Sequence, residues 1–402
     1  MSRPTDVPAD RALGPERSET ADAGLLSPVQ VGTLAEALTS DRAVAEAMVA
    51  VEASLRRALR EHGRGPTGPE STPELDVRHL AREAVQPGNP TVPLVSVLRE
   101  GLSGEEAAAV HHGATSQDVV DSALMLVATS VLHRIEDGLV DLAHRLAGLA
   151  AEHRGTPCVA RTLTQQAMPT TLGFRVAGWL DGVLDALESV RSCLPLPVSL
   201  GGPVGTAAAY GSAGPAVAAA LAEGLGLAAP AISWHTNRAP VLRLAGCLTE
   251  VGNACGRIAA DLLLLSQTEI GEADDGSAGR SSAMAHKANP TRSVLVASAA
   301  RQLPGLLATV ASSGASPSER PPGAWHAEWE PLRTMLRLAG AAVERTTATA
   351  GQVSFDTEAM RRNLGILLEA LDQGDAWAGE QTAHVGVWID RVLERHALVC
   401  PS

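Results

Sequence analysis

The stretch GRSSAMAHKANP, residues 279–290, sets two serine hydroxyls, Ser281 and Ser282, shortly ahead of Lys287 and Asn289. A lysine and an amide at the start of a helical pattern add a cation and a donor to a helix N-terminus, a combination suited to holding a carboxylate. Between Glu272 and Asn289 lies a long run of Gly, Ser, Ala and Asp, the composition of a functional lid or of a plain linker. A second polar island, HHGATSQD (111–118), places Thr115 and Ser116 where free backbone N–H groups and hydroxyls form an anion site. The alternative there is that Thr115, Ser116 or Asp118 simply caps the helix. A third, RTLTQQAMPTTLG (161–173), offers Arg161, Thr164, Gln165 and Gln166 to polar ligand groups, or forms a turn ending at Pro169.

Other arrangements point to less. GGPVGTAAAYG (201–211) lacks the lysine of a phosphate loop and reads as a packing turn. His326 and Glu330 are spaced as helix neighbours, but no further histidine stands near, so no metal site is expected. No serine-nucleophile elbow is present. The five cysteines have no C-x-x-C spacing and read as reduced thiols of a cytoplasmic protein.

These islands must be positioned by helices. The chain has 402 residues, 45% hydrophobic and only 2% aromatic, a balance that favours helix over sheet. A net charge of -13 argues against nucleic acid or anionic membrane as partner, so any charge holding an anionic substrate must be local. The proline-free segment from Asp118 to His153 repeats apolar residues at helical spacing and predicts a helix roughly 50 Å long. Further long helices are expected over 170–194, 241–272, 289–314 with a kink at Pro304, and 325–353. Residues 33–63 predict an amphipathic helix capped by Ser40 or Asp41, and two shorter helices are expected after Phe355. Helices this long pack side by side, so the fold class is an all-α bundle with five long helices at its centre. The expected division is a disordered tail over 1–27, an N-terminal helical domain over 28–115, the bundle over 116–353 and a short C-terminal segment over 354–402. The tail lacks the apolar core of a signal peptide, and no unbroken apolar run is long enough to span a membrane.

Taken in order, the islands resemble the three signature regions of the fumarase/aspartase superfamily. SSAMAHKANP resembles its loop signature, with Ser281, Ser282, Met284, Lys287, Asn289 and Pro290 at the expected offsets. HHGATSQDVVDSAL, PGNPTVPLVSVL (87–98) and RPPGAWHAEWEPLRTMLRLAG (320–340) are similar to segments of the 3-carboxy-cis,cis-muconate cycloisomerases. The resemblance implies a cofactor-free homotetramer with a core of twenty helices, in which each active site draws one signature region from each of three subunits. It implies Ser281 as general base on loop closure, Lys287 and Asn289 on one substrate carboxylate, Thr115 and Ser116 on another, and His111 in contact with substrate. Ser282, Arg280, His112 and His286 are further candidates beside them, and the substrate is a small polycarboxylate. The reaction implied interconverts 3-carboxy-cis,cis-muconate and a carboxymuconolactone through an aci-carboxylate, in aromatic catabolism. Leu163 and Val294 stand where fumarate-releasing relatives carry a His–Glu pair, which favours the cycloisomerase branch. Two rival expectations are a lyase releasing fumarate from a succinyl-type adduct and a non-catalytic scaffold with the same fold. Arg280, Ala285 and Ala288 depart from the loop signature, and His112 replaces its tryptophan.

Overall fold

The computed structural model describes residues 22–63, 73–280, 283–284, 287–315 and 317–401. Of the expected tail, residues 1–21 lie outside them. The predicted helix over 33–63 breaks at Thr39 into α1 (Leu34–Leu38) and α2 (Asp41–Glu61). Ser40 is the N-cap of α2 and accepts a hydrogen bond from the Ala43 N–H. Short helices α3 (Val77–Glu83), α4 (Thr91–Arg99) and α5 (Gly104–Ala109) lead to α6 (Ser116–Glu152), the longest in the chain at 37 residues.

Strands β1 (Pro157–Thr162) and β2 (Gln165–Thr171) precede α7 (Leu172–Cys193), and α8 (Gly214–Leu225) fills the gap before α9 (Ala239–Leu265). Helices α10 (Thr291–Ser313) and α11 (Ala324–Ala350) complete the five long elements. A two-residue strand pair, β3 (Ala273–Asp274) with β4 (Ser354–Phe355), ties the end of α9's loop to the chain beyond α11. Three helices, not two, close the chain: α12 (Thr357–Ala370), α13 (Asp375–Thr382) and α14 (Val385–Val399).

The sequence pattern thus finds all five long helices. A further local correction lies within 161–173: where a turn ending at Pro169 is expected, residues 157–171 form an antiparallel hairpin with Thr162 opposite Gln165. Its connection is only Leu163 and Thr164, both left-handed at φ 50° and 70°. That is the backbone of the mirror-image turns that match strand twist, built without the usual glycine or asparagine.

The long helices pack in a continuous core: α6 against α7 and α11, and α9 against α7, α10 and α11. Leu139, Leu142, Ala143 and Ala150 on α6 are fully buried. Helix α10 is less covered. It is long and apolar enough by composition to cross a membrane, with mean hydropathy 1.4 over a window only 22% buried. It nevertheless runs along α9 and α11 as a bundle helix, and Val294 on it is 49% exposed.

Charge is also buried at the α6–α9–α11 junction. Arg238, just before α9, donates to Asp121 of α6 at 2.7 Å and to Glu328 of α11 at 2.6 Å. The Trp325 indole N–H donates to the same Asp121 carboxylate at 2.9 Å. One guanidinium therefore serves two carboxylates. Burial raises the Glu328 carboxyl above its ordinary value, against the pull of Arg238. Removing the shared cation leaves two buried carboxylates uncompensated. Arg238→Met should therefore lower stability by about 3–5 kcal/mol, read as a fall in denaturant midpoint against the parent protein.

Candidate active site

The start of α6 is organised by a buried carboxylate. Asp118 accepts from the Thr115 N–H at 3.0 Å, so it caps the helix. It also accepts from the Gly201 N–H at 2.7 Å and the Gly202 N–H at 2.9 Å, and lies 2.7 Å from His235 Nε2. The capping and anion-site alternatives for 111–118 are therefore both compatible with the geometry. Asp118 and Thr115 together close a capping box, and Thr115 Oγ1 takes a further partner.

Thr115 Oγ1 accepts from Arg320 Nη2 at 3.0 Å, and Arg320 Nε donates to Gln117 Oε1 at 3.2 Å. A third contact runs from Nη2 to the Pro203 carbonyl at 3.3 Å. Arg320 thus adds a guanidinium, part of it exposed, to the N-terminal end of a 37-residue helix. Sequence reasoning did not single it out. The available signal was its place at the head of RPPGAWHAEWEPL.

His111 has φ 59° and is pinned by Glu52 of α2, whose side chain is fully buried. Its N–H donates to Glu52 Oε2 at 3.0 Å, and its Nδ1 lies 2.6 Å from Oε1. With the ring held through Nδ1, Nε2 is the nitrogen left for a ligand. Glu52 was also missed. His112 enters through its backbone, where its carbonyl accepts from Tyr210 Oη at 2.9 Å. Gly113 beside it has φ 72°, and a Cβ there would fall 2.7 Å from the Tyr210 ring, so only glycine fits.

The hairpin is a correction to one expected ligand. Arg161 is not free for substrate: its guanidinium makes a two-pronged pair with Glu272, at 2.7 and 3.2 Å. Glu272 is fully buried and also accepts from Asn363 Nδ2 at 2.7 Å, with Arg175 a second guanidinium at 3.9 Å. Gln166 turns to the Asn363 carbonyl. Gln165 and Thr164 contact each other at the exposed hairpin tip, where Leu163 is 96% exposed.

Of the third island, Ser281, Ser282, Ala285 and His286 lie outside the described residues. Its two ends are held together. Gly279 and Asn289 exchange backbone hydrogen bonds at 3.0 and 2.9 Å, while Arg280 and Lys287 are exposed next to that clasp. Asn289 stands just before the first residues of α10. Asp275 anchors the clasp, accepting from the N–H and hydroxyl of both Ser277 and Ser293. Burial pushes its carboxyl up, but these hydrogen bonds together outweigh burial and hold it below the ordinary carboxylate range.

The hairpin meets the loop's beginning through Arg161 and Glu272. Among the described residues, no group of three or more His, Cys, Asp or Glu side chains is placed to hold a metal ion.

A carboxyl depressed in the fold stabilises above its unfolded value, and that contribution is lost as pH falls through the folded value. Asp275→Asn should therefore melt lower than the parent at neutral pH. The gap should close on acidification below the carboxylate range, as followed by thermal melts across pH.

Residues 93–305, more than half of the chain, match the family model described as Lyase. The nitrosuccinate lyase of Streptomyces davaonensis is 40% identical over 379 residues, covering 88% of this chain and 79% of that protein. The 3-carboxy-cis,cis-muconate cycloisomerase of Pseudomonas aeruginosa is 38% identical over 82% of this chain and 75% of its own length. The crystal structure of 3-carboxy-cis,cis-muconate lactonizing enzyme from Pseudomonas putida matches with a TM-score of 0.83 at 30% identity, covering 94% of this chain and 99% of that one. A fold of five long helices, a polar signature at each expected place and relatives of this similarity lead to one assignment: the chain belongs to the fumarate lyase superfamily.

Proposed function

We propose that the chain moves a proton on the carbon beside a carboxylate and makes or breaks a bond from the next carbon to a weakly basic anion. The observation that carries this is the chemistry of the second island. Arg161 is locked to Glu272, and Leu163 in that island and Val294 on α10 are both apolar, so neither of those two positions offers an acid to protonate a departing group. An amine leaving group needs such an acid. A carboxylate or a nitrite departs without one, because it is stable as the anion.

The preferred reaction interconverts 3-carboxy-cis,cis-muconate and a carboxymuconolactone, with the substrate's own carboxylate oxygen as the group that adds or leaves. The match to the lactonizing enzyme over almost all of both chains supports this reading. Ser281 would take the proton once desolvated by loop closure. Lys287 and Asn289 would hold the carboxylate whose charge grows in the aci-carboxylate. Thr115, Ser116 and Arg320 at the head of α6 would hold another, with His111 directed by Glu52.

A second reading is elimination of nitrite from nitrosuccinate to leave fumarate, favoured by the relative that is 40% identical. The same residues would serve, since only the leaving group changes. Turnover on both substrates separates the two. Lactone formation abolished in Ser281→Ala, with the melt unchanged, is the expected result. Fumarate and nitrite in its place would establish the second reading. Silence on both would leave the scaffold alternative.

The spread of the islands along one chain supports a site completed by other copies, as does the thin cover of α10, of whose apolar stretch only 22% is buried. The site would form in a homotetramer. Light scattering should give a particle of four times the 41.4 kDa chain mass, and a 41.4 kDa particle would exclude shared sites.

A further inference from the structure

Two phenylalanines, six tryptophans and one tyrosine are all the aromatic side chains the chain has. Only Phe174, at 41%, and Trp388, at 52%, are exposed, and both line the same cavity. It measures about 590 Å³ and lies between α7 and α14, with Arg257 of α9 contributing to its wall.

Two helix faces build it. Phe174, Ala177, Gly178 and Asp181 follow one stripe of α7, and Trp388, Arg391, Val392 and Arg395 follow the facing stripe of α14. Each set has the three- and four-residue spacing of one helix side. Arg395 ties the stripes together by pairing with Asp181, Asp185 and Glu188 at 2.7 Å each. The small residues Ala177 and Gly178 leave the space open. A Cβ at Gly178 would stand 3.3 Å from Arg257 Nη2, so glycine lets that guanidinium reach α7.

The cations differ in what they are committed to. Arg395 and Asp181 meet each other's charge, and Asp181 is the one carboxylate in the lining. Arg175 turns its Nη2 to the Val159 carbonyl at 3.1 Å and keeps Nη1 3.9 Å from Glu272. Asp261, one turn beyond Arg257, accepts from the Trp179 indole N–H at 2.6 Å. Among the described residues, neither Arg257 nor Arg391 pairs with a carboxylate. The Arg391 guanidinium lies 5.2 Å from the centre of the Trp388 ring, which sets a cation and an apolar face side by side. In a chain of net charge -13, two uncommitted guanidiniums beside the two exposed rings are a local exception.

We propose that this cavity binds a small aromatic carboxylate, with its ring against Phe174 and Trp388 and its carboxylate on Arg257 and Arg391. An inorganic anion would answer the guanidiniums and leave the rings in water. A neutral ring would do the reverse. A flat carboxylate satisfies both, by charge-assisted hydrogen bonds at one end and ring contact at the other. None of the described residues assigned to substrate lines the cavity, so the site is additional to the proposed reaction.

The test titrates the full-length protein with benzoate by calorimetry, beside cyclohexanecarboxylate, which has the same charge but no flat ring. Saturable binding at a single site per chain is expected, severalfold tighter for benzoate. Trp388→Leu should erase that preference, while Arg257→Gln and Arg391→Gln should each weaken both ligands severalfold. Arg320→Gln, at the head of α6, should leave benzoate binding unchanged. Thermal melts of the variants should match the parent, since the substituted side chains are exposed. The proposal is overturned if benzoate does not bind, if binding survives Trp388→Leu combined with Arg391→Gln, or if Arg320→Gln abolishes it. It is also overturned if these substitutions lower the particle mass in light scattering, which would make the face a contact between copies.

Discussion

Asp118 receives hydrogen bonds from three backbone N–H groups and sits against a histidine, all in the interior. An unsatisfied carboxylate there would be costly, so these partners are obligatory and each is a constraint on the chain. Thr115 fixes where α6 starts. Gly201 and Gly202 must bring bare backbone to the carboxylate; a Cβ on Gly202 would meet the Gly113 carbonyl at 2.8 Å. His235 fixes the strand of chain that enters α9. Three residues on, Arg238 bridges Asp121 and Glu328, which locks the heads of α6, α9 and α11 to one another. The hydroxyls of Thr115 and Ser116 are thereby held at a helix terminus whose own donors are already partly used, with Arg320 supplying the cation.

Helix positions were legible because their signals are local. Ser40 announces α2, the proline-free run announces α6, and Pro240 starts α9 inside its first turn. The partners that shape the site were not legible, because each lies far along the chain. Glu52 reaches His111 across 59 residues, Glu272 reaches Arg161 across 111, and Arg320 reaches Thr115 across 205. Residue type alone could mark Arg161 as a possible ligand; it could not reveal that a buried glutamate would claim it. The hairpin was hidden for a different reason. Its turn uses Leu163 and Thr164 in a conformation for which the sequence signal is Asn-Gly.

The same limits apply to charge. A formal balance of -13 says nothing about where cations gather, yet Arg320 at one helix head and Lys287 beside the loop clasp are both placed toward a helix N-terminus. Local positive potential in an acidic protein arises here from alignment of side chains with helix ends, with no need for a basic surface.

The turn at Leu163 and Thr164 has one more implication. Left-handed backbone is costly for leucine and worse for a β-branched threonine, and glycine at either position would relax it. This chain instead holds a leucine 96% exposed at the end of a two-stranded arm. With its side chain left in water, Leu163 buries nothing to offset the cost of its backbone, so the ladder between β1 and β2 must hold the turn closed.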